Sequence, residues 1–158
     1  KLSAEKMDVA IVNAGVAGER TAAMQAPTQQ EFDWVMRTNV WGPMQVIAQL
    51  PALLNKGSKL AVISSRMGSI GSRTSSAWWL YRASKAALNS VLKDASLELS
   101  GTSTCVALHP GWVRTEMGGS NADLSVQESV SNMRHTLLTV TPGQNGSYLN
   151  YDGEEIPW

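Results

Sequence analysis

The chain of 158 residues holds a single cysteine, Cys105, which excludes a disulfide framework and a cysteine-rich zinc site. It also lacks a charge surplus. Lys and Arg number 13 and Asp and Glu 13, a balance that argues against a nucleic-acid groove or a patch for acidic membranes. Charged residues make up 16%, below the roughly 25% of average domains. No apolar run approaches the ~20 residues of a membrane helix, and no secretory signal is visible, so the expected compartment is the reducing cytoplasm. Repeats, linkers and low-complexity segments are missing as well. With 43% hydrophobic residues, the chain is too apolar for a disordered segment and long enough for one domain with a real core.

Strand-like and helix-like stretches alternate. Val9-Ala10-Ile11-Val12 reads as a buried parallel strand running into the tight turn Asn13-Ala14-Gly15. Thr28-Gln29-Gln30-Glu31 fits a capping box, with Thr28 as N-cap and Glu31 returning to its amide. The helical pattern then runs towards Leu54, interrupted at Gly42-Pro43, and Asn55-Lys56-Gly57 reads as its stop. A second apolar run, Leu60-Ala61-Val62-Ile63, ends in Ser64-Ser65. After a Gly/Ser-rich loop, Trp78 to about Leu99 has helical spacing, with Ala83, Ala87, Val91 and Ala95 as one stripe. A third run, Cys105-Val106-Ala107-Leu108, ends in His109-Pro110-Gly111. Ser125-Val126-Gln127-Glu128 caps a last helix to about Val140, and Tyr148-Leu149-Asn150 reads as a closing strand. Repeated βα units of this kind predict an open parallel sheet with helices on both faces. Ligands of such sheets sit beyond the carboxyl ends of the strands. All three apolar runs end there in small polar or glycine-containing turns, so the chemistry is expected along that edge.

The strongest local constellation is Tyr81-Arg82-Ala83-Ser84-Lys85. Tyr81 and Lys85, spaced i,i+4 on a helix, share one face about 6 Å apart along the axis. A free phenol titrates near 10, too high for an acid or base at neutral pH. An ammonium at about 5 Å contributes roughly 3 kcal/mol at an effective dielectric near 20, equivalent to about two pKa units. That would bring the phenol towards working pH, where proton transfer is most efficient.

The pair does not stand alone. Asn13-Ala14-Gly15 and Thr38-Asn39-Val40 precede it, Ser64-Ser65 closes the strand before it, and His109-Pro110-Gly111-Trp112-Val113-Arg114-Thr115 follows the next strand. With Tyr81-x-x-Ser84-Lys85, these stations in this order resemble the short-chain dehydrogenase/reductase family over nearly the whole chain. Ser65-Arg66-Met67-Gly68-Ser69-Ile70 and Tyr81-Arg82-Ala83-Ser84-Lys85-Ala86-Ala87-Leu88-Asn89 look most like its C-factor-like branch. The resemblance implies an α/β, Rossmann-type doubly wound parallel sheet, of which this chain carries the part from the fourth strand onward as one partial domain, residues 1–158. It implies an NAD- or NADP-dependent oxidoreductase acting on a small carbonyl or alcohol substrate, with a catalytic tetrad of Asn39, Ser65, Tyr81 and Lys85. By resemblance, Tyr81 exchanges a proton with the substrate oxygen and Ser65 holds that oxygen, an oxyanion-hole role worth about 3 kcal/mol per donor. Lys85 lowers the phenol pKa and holds the nicotinamide ribose, and Asn39 positions a water that links Lys85 to solvent. Asn13, Ala14 and Gly15 line the adenosine side, and Pro110, Gly111, Val113 and Thr115 meet the nicotinamide end, Val113 through its backbone and Thr115 through its hydroxyl. No metal is implied. A homodimer or homotetramer is, and the apolar residues Trp41, Met44, Ile47, Leu88 and Leu92 spread over wide helical arcs, as a helix with a second partner requires.

Plainer roles compete at several positions. Asn39 could satisfy backbone groups at a helix irregularity, Gly15 and Gly111 could be ordinary turn glycines, and Thr115 could cap a turn. Ser65 competes with Ser64, Ser69 and Ser72, and its distance from Tyr81 implies a loop insertion relative to the family. His109 reads as structural and Cys105 as core. Trp112 and Trp78-Trp79 are candidate walls of a substrate pocket. Asn145-Gly146-Ser147 matches a glycosylation acceptor but reads as a turn. The glycine-rich phosphate turn of the family is absent from these residues, and the chain begins with Lys1 rather than Met, so the first half of the dinucleotide fold is expected to lie upstream in a longer enzyme. Val9 to Val12 should then be an edge strand. Two other function classes compete. A non-enzymatic signalling or regulatory protein on this scaffold would not need all four tetrad residues. An extended-type epimerase or dehydratase would need a substrate domain that the chain after Gly111 is too short to supply.

Overall fold

A computed structural model describes residues 6–21 and 24–158. Four strands, β1 (Met7–Val12), β2 (Leu54–Ile63), β3 (Ser103–His109) and β4 (Ser147–Asn150), form one parallel sheet in the order β1-β2-β3-β4. The principal helices are α1 (Gln29–Met36), α2 (Gly42–Ile47), α3 (Trp79–Glu98) and α4 (Val126–Thr139). Two apolar layers hold them to the sheet. Ile47 of α2 and Leu88, Leu92 and Ala95 of α3 pack with Ala10, Val12, Leu60, Val62, Cys105 and Ala107 on one face. Leu137 of α4 packs with Ala61, Val106, Leu108 and Leu149 on the other. Alternate residues of β2 and β3 therefore serve opposite faces, both covered, as in a doubly wound sheet, whereas the expected burial of Val9–Val12 holds on one face only. Among the described strands β1 pairs only with β2, so it is an edge, and its outward residues Val9 and Ile11 are 40% and 52% exposed. No helix among the described residues is long and apolar enough to cross a membrane.

Several local expectations need correction. Asn55-Lys56-Gly57 does not stop a helix before the second strand, because β2 already starts at Leu54. The residues instead form an irregularity within it: pairing jumps from Met7↔Leu54 to Val9↔Lys59, with Gly57 at φ +82°. At Thr28 only half of the capping box forms. The hydroxyl accepts the Glu31 N–H at 3.1 Å, but the Glu31 carboxylate turns away to accept the Glu19 N–H, because the segment after β1 folds across the start of α1. The box expected at Ser125 and Glu128 is complete. The interruption at Gly42-Pro43 is real and takes the form of a π turn, Arg37–Trp41. Pro43 has no N–H for the carbonyl four residues back, and the Gly42 N–H reaches Arg37 O, five back. The buried stripe of α3 is also rotated from the expected one. Ala83 is exposed, while Tyr81, Lys85, Leu88, Leu92 and Ala95 face inward. The face that packs the core and the face that carries Tyr81 and Lys85 are one and the same.

Candidate active site

The π turn carries Asn39 into the interior, where it is fully buried. Its Oδ1 accepts the Val16 N–H at 2.8 Å, and its Nδ2 donates to Val16 O at 2.8 Å and to Ser84 Oγ at 2.9 Å. Ser84 Oγ donates in turn to Tyr81 O at 2.8 Å. One carboxamide thus ties the loop after β1 to the first turn of α3. The backbone-satisfying role at a helix irregularity is the one its contacts show.

Lys85 lies one helical turn beyond Tyr81. Its Nζ donates to Ile63 O, the last carbonyl of β2, at 2.9 Å and sits 5.8 Å from the centroid of the Tyr81 ring. Two glycines make room for it. A Cβ on Gly15 would stand 3.1 Å from Lys85 Nζ, and one on Gly68 would stand 3.0 Å from the Lys85 backbone carbon. Ser65 opens a single turn of 3-10 helix, Arg66–Gly68, where its Oγ accepts the Met67 N–H at 3.2 Å. Ser65 and Tyr81 line the same cavity. Ser64 points elsewhere, donating to Asn89 Oδ1.

The electrostatics correct one expectation. Burial raises the Tyr81 phenol above its ordinary 10, with the nearby Ser65 hydroxyl pulling the other way, and burial lowers Lys85 to about 8. The ammonium lies over the ring face and is engaged by Ile63 O, and desolvation of the phenolate outweighs its attraction. Tyr81 is therefore a neutral phenol at pH 7.

A cavity of about 900 Å³ opens at the carboxyl ends of the strands. Asn13, Ser65, Tyr81, Pro110, Gly111, Val113 and Thr115 line it, while Ala14, Gly15, Asn39 and Lys85 do not. Gly111 has φ +82°, and a Cβ there would press to 2.9 Å on the Tyr151 ring. Val113 bridges Leu124, but the hydrogen bonds come from Trp112 O and Arg114 N–H, not from Val113's own amide. Thr115 Oγ1 donates to Val113 O at 3.4 Å and accepts the Gly118 N–H at 3.1 Å, so it caps that turn. Trp78 and Trp112 wall the cavity and Trp79 does not. His109 lines it too, with Nδ1 unpartnered, and burial, reinforced by the Arg66 charge, pushes its pKa down to about 4. Asn145 is structural, its side chain joining Cys105 N–H and Ser96 O at 2.8 Å each. Among the described residues no group of three or more His, Cys, Asp or Glu could hold a metal.

Sequence reasoning missed the support behind Ser65. The Tyr148 hydroxyl of β4 donates to Ser65 O, and its ring stacks on Trp158 at 5.3 Å. Trp158 O accepts the Gly71 N–H at 2.9 Å, and Pro157 O accepts Ser69 Oγ. Residues 156–158 therefore brace the loop that begins at Ser65. Asn89 was discoverable, being two i+4 steps from Tyr81. Tyr148 carried no cue beyond its apolar strand.

A family model described as Enoyl-(Acyl carrier protein) reductase matches residues 2–147. C-signal of Myxococcus xanthus is 36% identical over 155 residues, covering 96% of this chain and 93% of that protein. The chain belongs to the short-chain dehydrogenase/reductase family. Within the family it falls in the C-factor-like branch, and its sheet is part of a Rossmann-type fold. Carbonyl reductase Sniffer of D. melanogaster superposes with a TM-score of 0.91 at 33% identity, covering 99% of this chain and 68% of that one. A short-chain dehydrogenase/reductase from Burkholderia multivorans with bound NADP gives 0.89 at 34% identity, covering 99% and 69%. The 1-hydroxy-2-glutathionyl-2-methyl-3-butene dehydrogenase of Rhodococcus sp. (strain AD45) is 31% identical over 81% of this chain and 60% of its own length.

Proposed function

We propose that the protein is an NAD(P)-dependent oxidoreductase that interconverts a carbonyl compound and its alcohol, with Tyr81 as the acid and base. The observation that carries this reading is that Ser65 and Tyr81 line one cavity, with the Lys85 ammonium 5.8 Å from the centre of the Tyr81 ring. The cavity suits a nicotinamide cofactor: Asn13, Pro110, Gly111, Trp112, Val113 and Thr115 line it, and Gly111 keeps its backbone side-chain-free there. The relatives solved with NADP support the same assignment. When bound, that cofactor supplies or takes the hydride at the carbonyl carbon. The chain's own residues manage the oxygen. Ser65 Oγ–H donates to it, and the Tyr81 O–H gives its proton as negative charge develops on it. A phenol that is neutral at pH 7 is the form this step needs in the direction of reduction. Lys85 offers positive charge beside the phenolate left behind, and Asn39 holds the helix start on which both stand.

The decisive experiment is Tyr81→Phe, assayed by NADPH oxidation with an aldehyde panel. It should abolish reduction while cofactor affinity stays nearly unchanged, whereas Lys85→Ala should damage both. Retention of a tenth or more of wild-type turnover by Tyr81→Phe would remove Tyr81 from the acid role. A second reading, a signalling protein without redox chemistry, is favoured by the match to C-signal across 93% of its length. Folded wild-type protein inactive with both NADH and NADPH on that panel would favour it.

A further inference from the structure

The geometry points to a substrate that carries an oxyanion, a carboxylate or phosphate ester, on an otherwise apolar body, with Arg20 and Arg66 as the groups that receive it. This deepens the redox reading of the same cavity and rests on it.

Arg20, Arg66 and Arg82 all line the cavity that contains Ser65 and Tyr81, and among the described residues no Asp or Glu lines it. Among those residues the one salt bridge of an arginine joins Arg114 to Glu128, so none of these three has a described carboxylate within 4.0 Å. Their placement follows the reacting groups. Arg66 succeeds Ser65 in the chain, and Arg82 succeeds Tyr81. The Arg20 guanidinium lies 6.0 Å from the Trp78 ring, which meets the Tyr81 ring edge-on at 6.5 Å. Arg82 is held by the fold itself. Buried in the first turn of α3, it donates through Nε to Ala77 O and through Nη2 to Ser75 Oγ, both at 2.7 Å. Arg20 and Arg66 are exposed and their side chains make no hydrogen bond among the described residues, which leaves both forks free for a ligand. The planar fork of a guanidinium matches a carboxylate or phosphate with two parallel hydrogen bonds.

The stations expected to meet the cofactor do not share this character. Asn13, Pro110, Gly111, Val113 and Thr115 are uncharged, and the cation in that run, Arg114, is engaged by Glu128, Ala122 O and Asp123 O. The unneutralised charge lies on the side of Trp78 and the Ser65 loop. Repulsion from Arg73 adds to burial in lowering the Arg82 pKa, which marks the same region as short of anions. Met67, Trp78, Trp112, Met117, Val130 and Met133 supply apolar wall, so the ligand that fits is amphipathic.

The test uses two aldehydes of one shape, 4-carboxybenzaldehyde and its neutral methyl ester. Binding is read by quenching of tryptophan fluorescence, since Trp78 and Trp112 face the cavity, and reduction is read with NADPH. The carboxylate should bind and react at least about tenfold better at low salt, with the margin shrinking as ionic strength shortens the Debye length. Arg20→Gln with Arg66→Gln should erase the margin while NADPH affinity stays within about twofold; both residues are exposed, so the fold is retained. Equal binding of the two aldehydes overturns the proposal, as does a margin that survives in the double variant. A loss of NADPH affinity with the aldehyde margin intact assigns the arginines to a cofactor phosphate and equally overturns it. Arginine-dependent binding of the carboxylate without any reduction would sustain the anion site and sink the redox reading.

Discussion

Tyr148 donates its phenolic hydrogen bond to the carbonyl oxygen of Ser65, 83 residues earlier in the chain. The contact joins the last strand of the sheet to the backbone of the residue proposed to hold the substrate oxygen. Burial pushes the Tyr148 phenol up to about 12, so this donor stays protonated at any working pH.

Tyr148→Phe deletes this donor and leaves Ser65 O with the Gly68 N–H alone. A stability loss of about 1–2 kcal/mol is expected in urea unfolding. The Ser65 side chain should also lose its register against Tyr81. Reduction should then fall about tenfold in kcat, with KM nearly constant. An unchanged kcat would mean that the strand does not position Ser65.

The buried lysine sets a pH limit. Lys85 titrates near 8 in the folded protein, so its positive charge beside Tyr81 is present below that pH and lost above it. The kcat/KM for carbonyl reduction should be level near pH 6–7 and decline through about 8. Lys85→Arg keeps the charge throughout this range and should remove the decline from what activity remains. Steady-state rates across pH 6 to 10 check both statements.

His109 governs acid stability. Its folded pKa of about 4 lies below the ordinary 6.5, so the unfolded chain binds the extra proton between these values. The neutral buried imidazole is therefore fully accommodated above pH 6.5, and stability drains away as pH falls towards 4, by about 3 kcal/mol over that window. His109→Gln should flatten that slope in denaturant titrations at pH 7, 5.5 and 4.5.

Asn39 offers a test of architecture. Asn39→Ala removes both partners of the Val16 backbone and one of Ser84, at a cost of about 2–3 kcal/mol. In a domain of this size that lowers Tm by roughly 4–12 °C. Differential scanning calorimetry measures it. A shift under a degree would mean that the carboxamide does not hold these two segments together.

Association should be readily visible. Phe32, Trp34, Trp41, Met44 and Val46 are exposed on α1, α2 and the turn between them, whereas Ile47, Leu88 and Leu92, the other residues of the wide apolar arcs, are buried in the core. A polypeptide of residues 1–158 also exposes the edge of β1. Such a polypeptide should self-associate at micromolar concentration in sedimentation velocity and bind NADPH poorly. A clean monomer with micromolar affinity for NADPH would refute both.

The sequence by itself determined where the strands lie, because Leu60–Ile63 and Cys105–Leu108 are continuous apolar runs that a sheet covered on both faces buries. Val9–Val12, equally apolar, is buried on one face only because it lies at the edge. It also determined which residues are candidates for the tetrad, since i,i+4 spacing and the order of short polar turns are properties of the chain alone. What only the tertiary structure decided depends on surroundings. Whether the ammonium or burial governs the Tyr81 proton was settled by desolvation, which no spacing encodes. Glu31 abandoned its cap because Glu19, distant in sequence, arrived with a free N–H. Tyr148 and Trp158 reached Ser65 through the parallel crossover of β3 to β4, and a residue in an apolar strand carries no local mark of the carbonyl it will meet. The inward face of α3 was likewise chosen by the sheet it packs on, because several arcs of that helix are apolar enough to be buried.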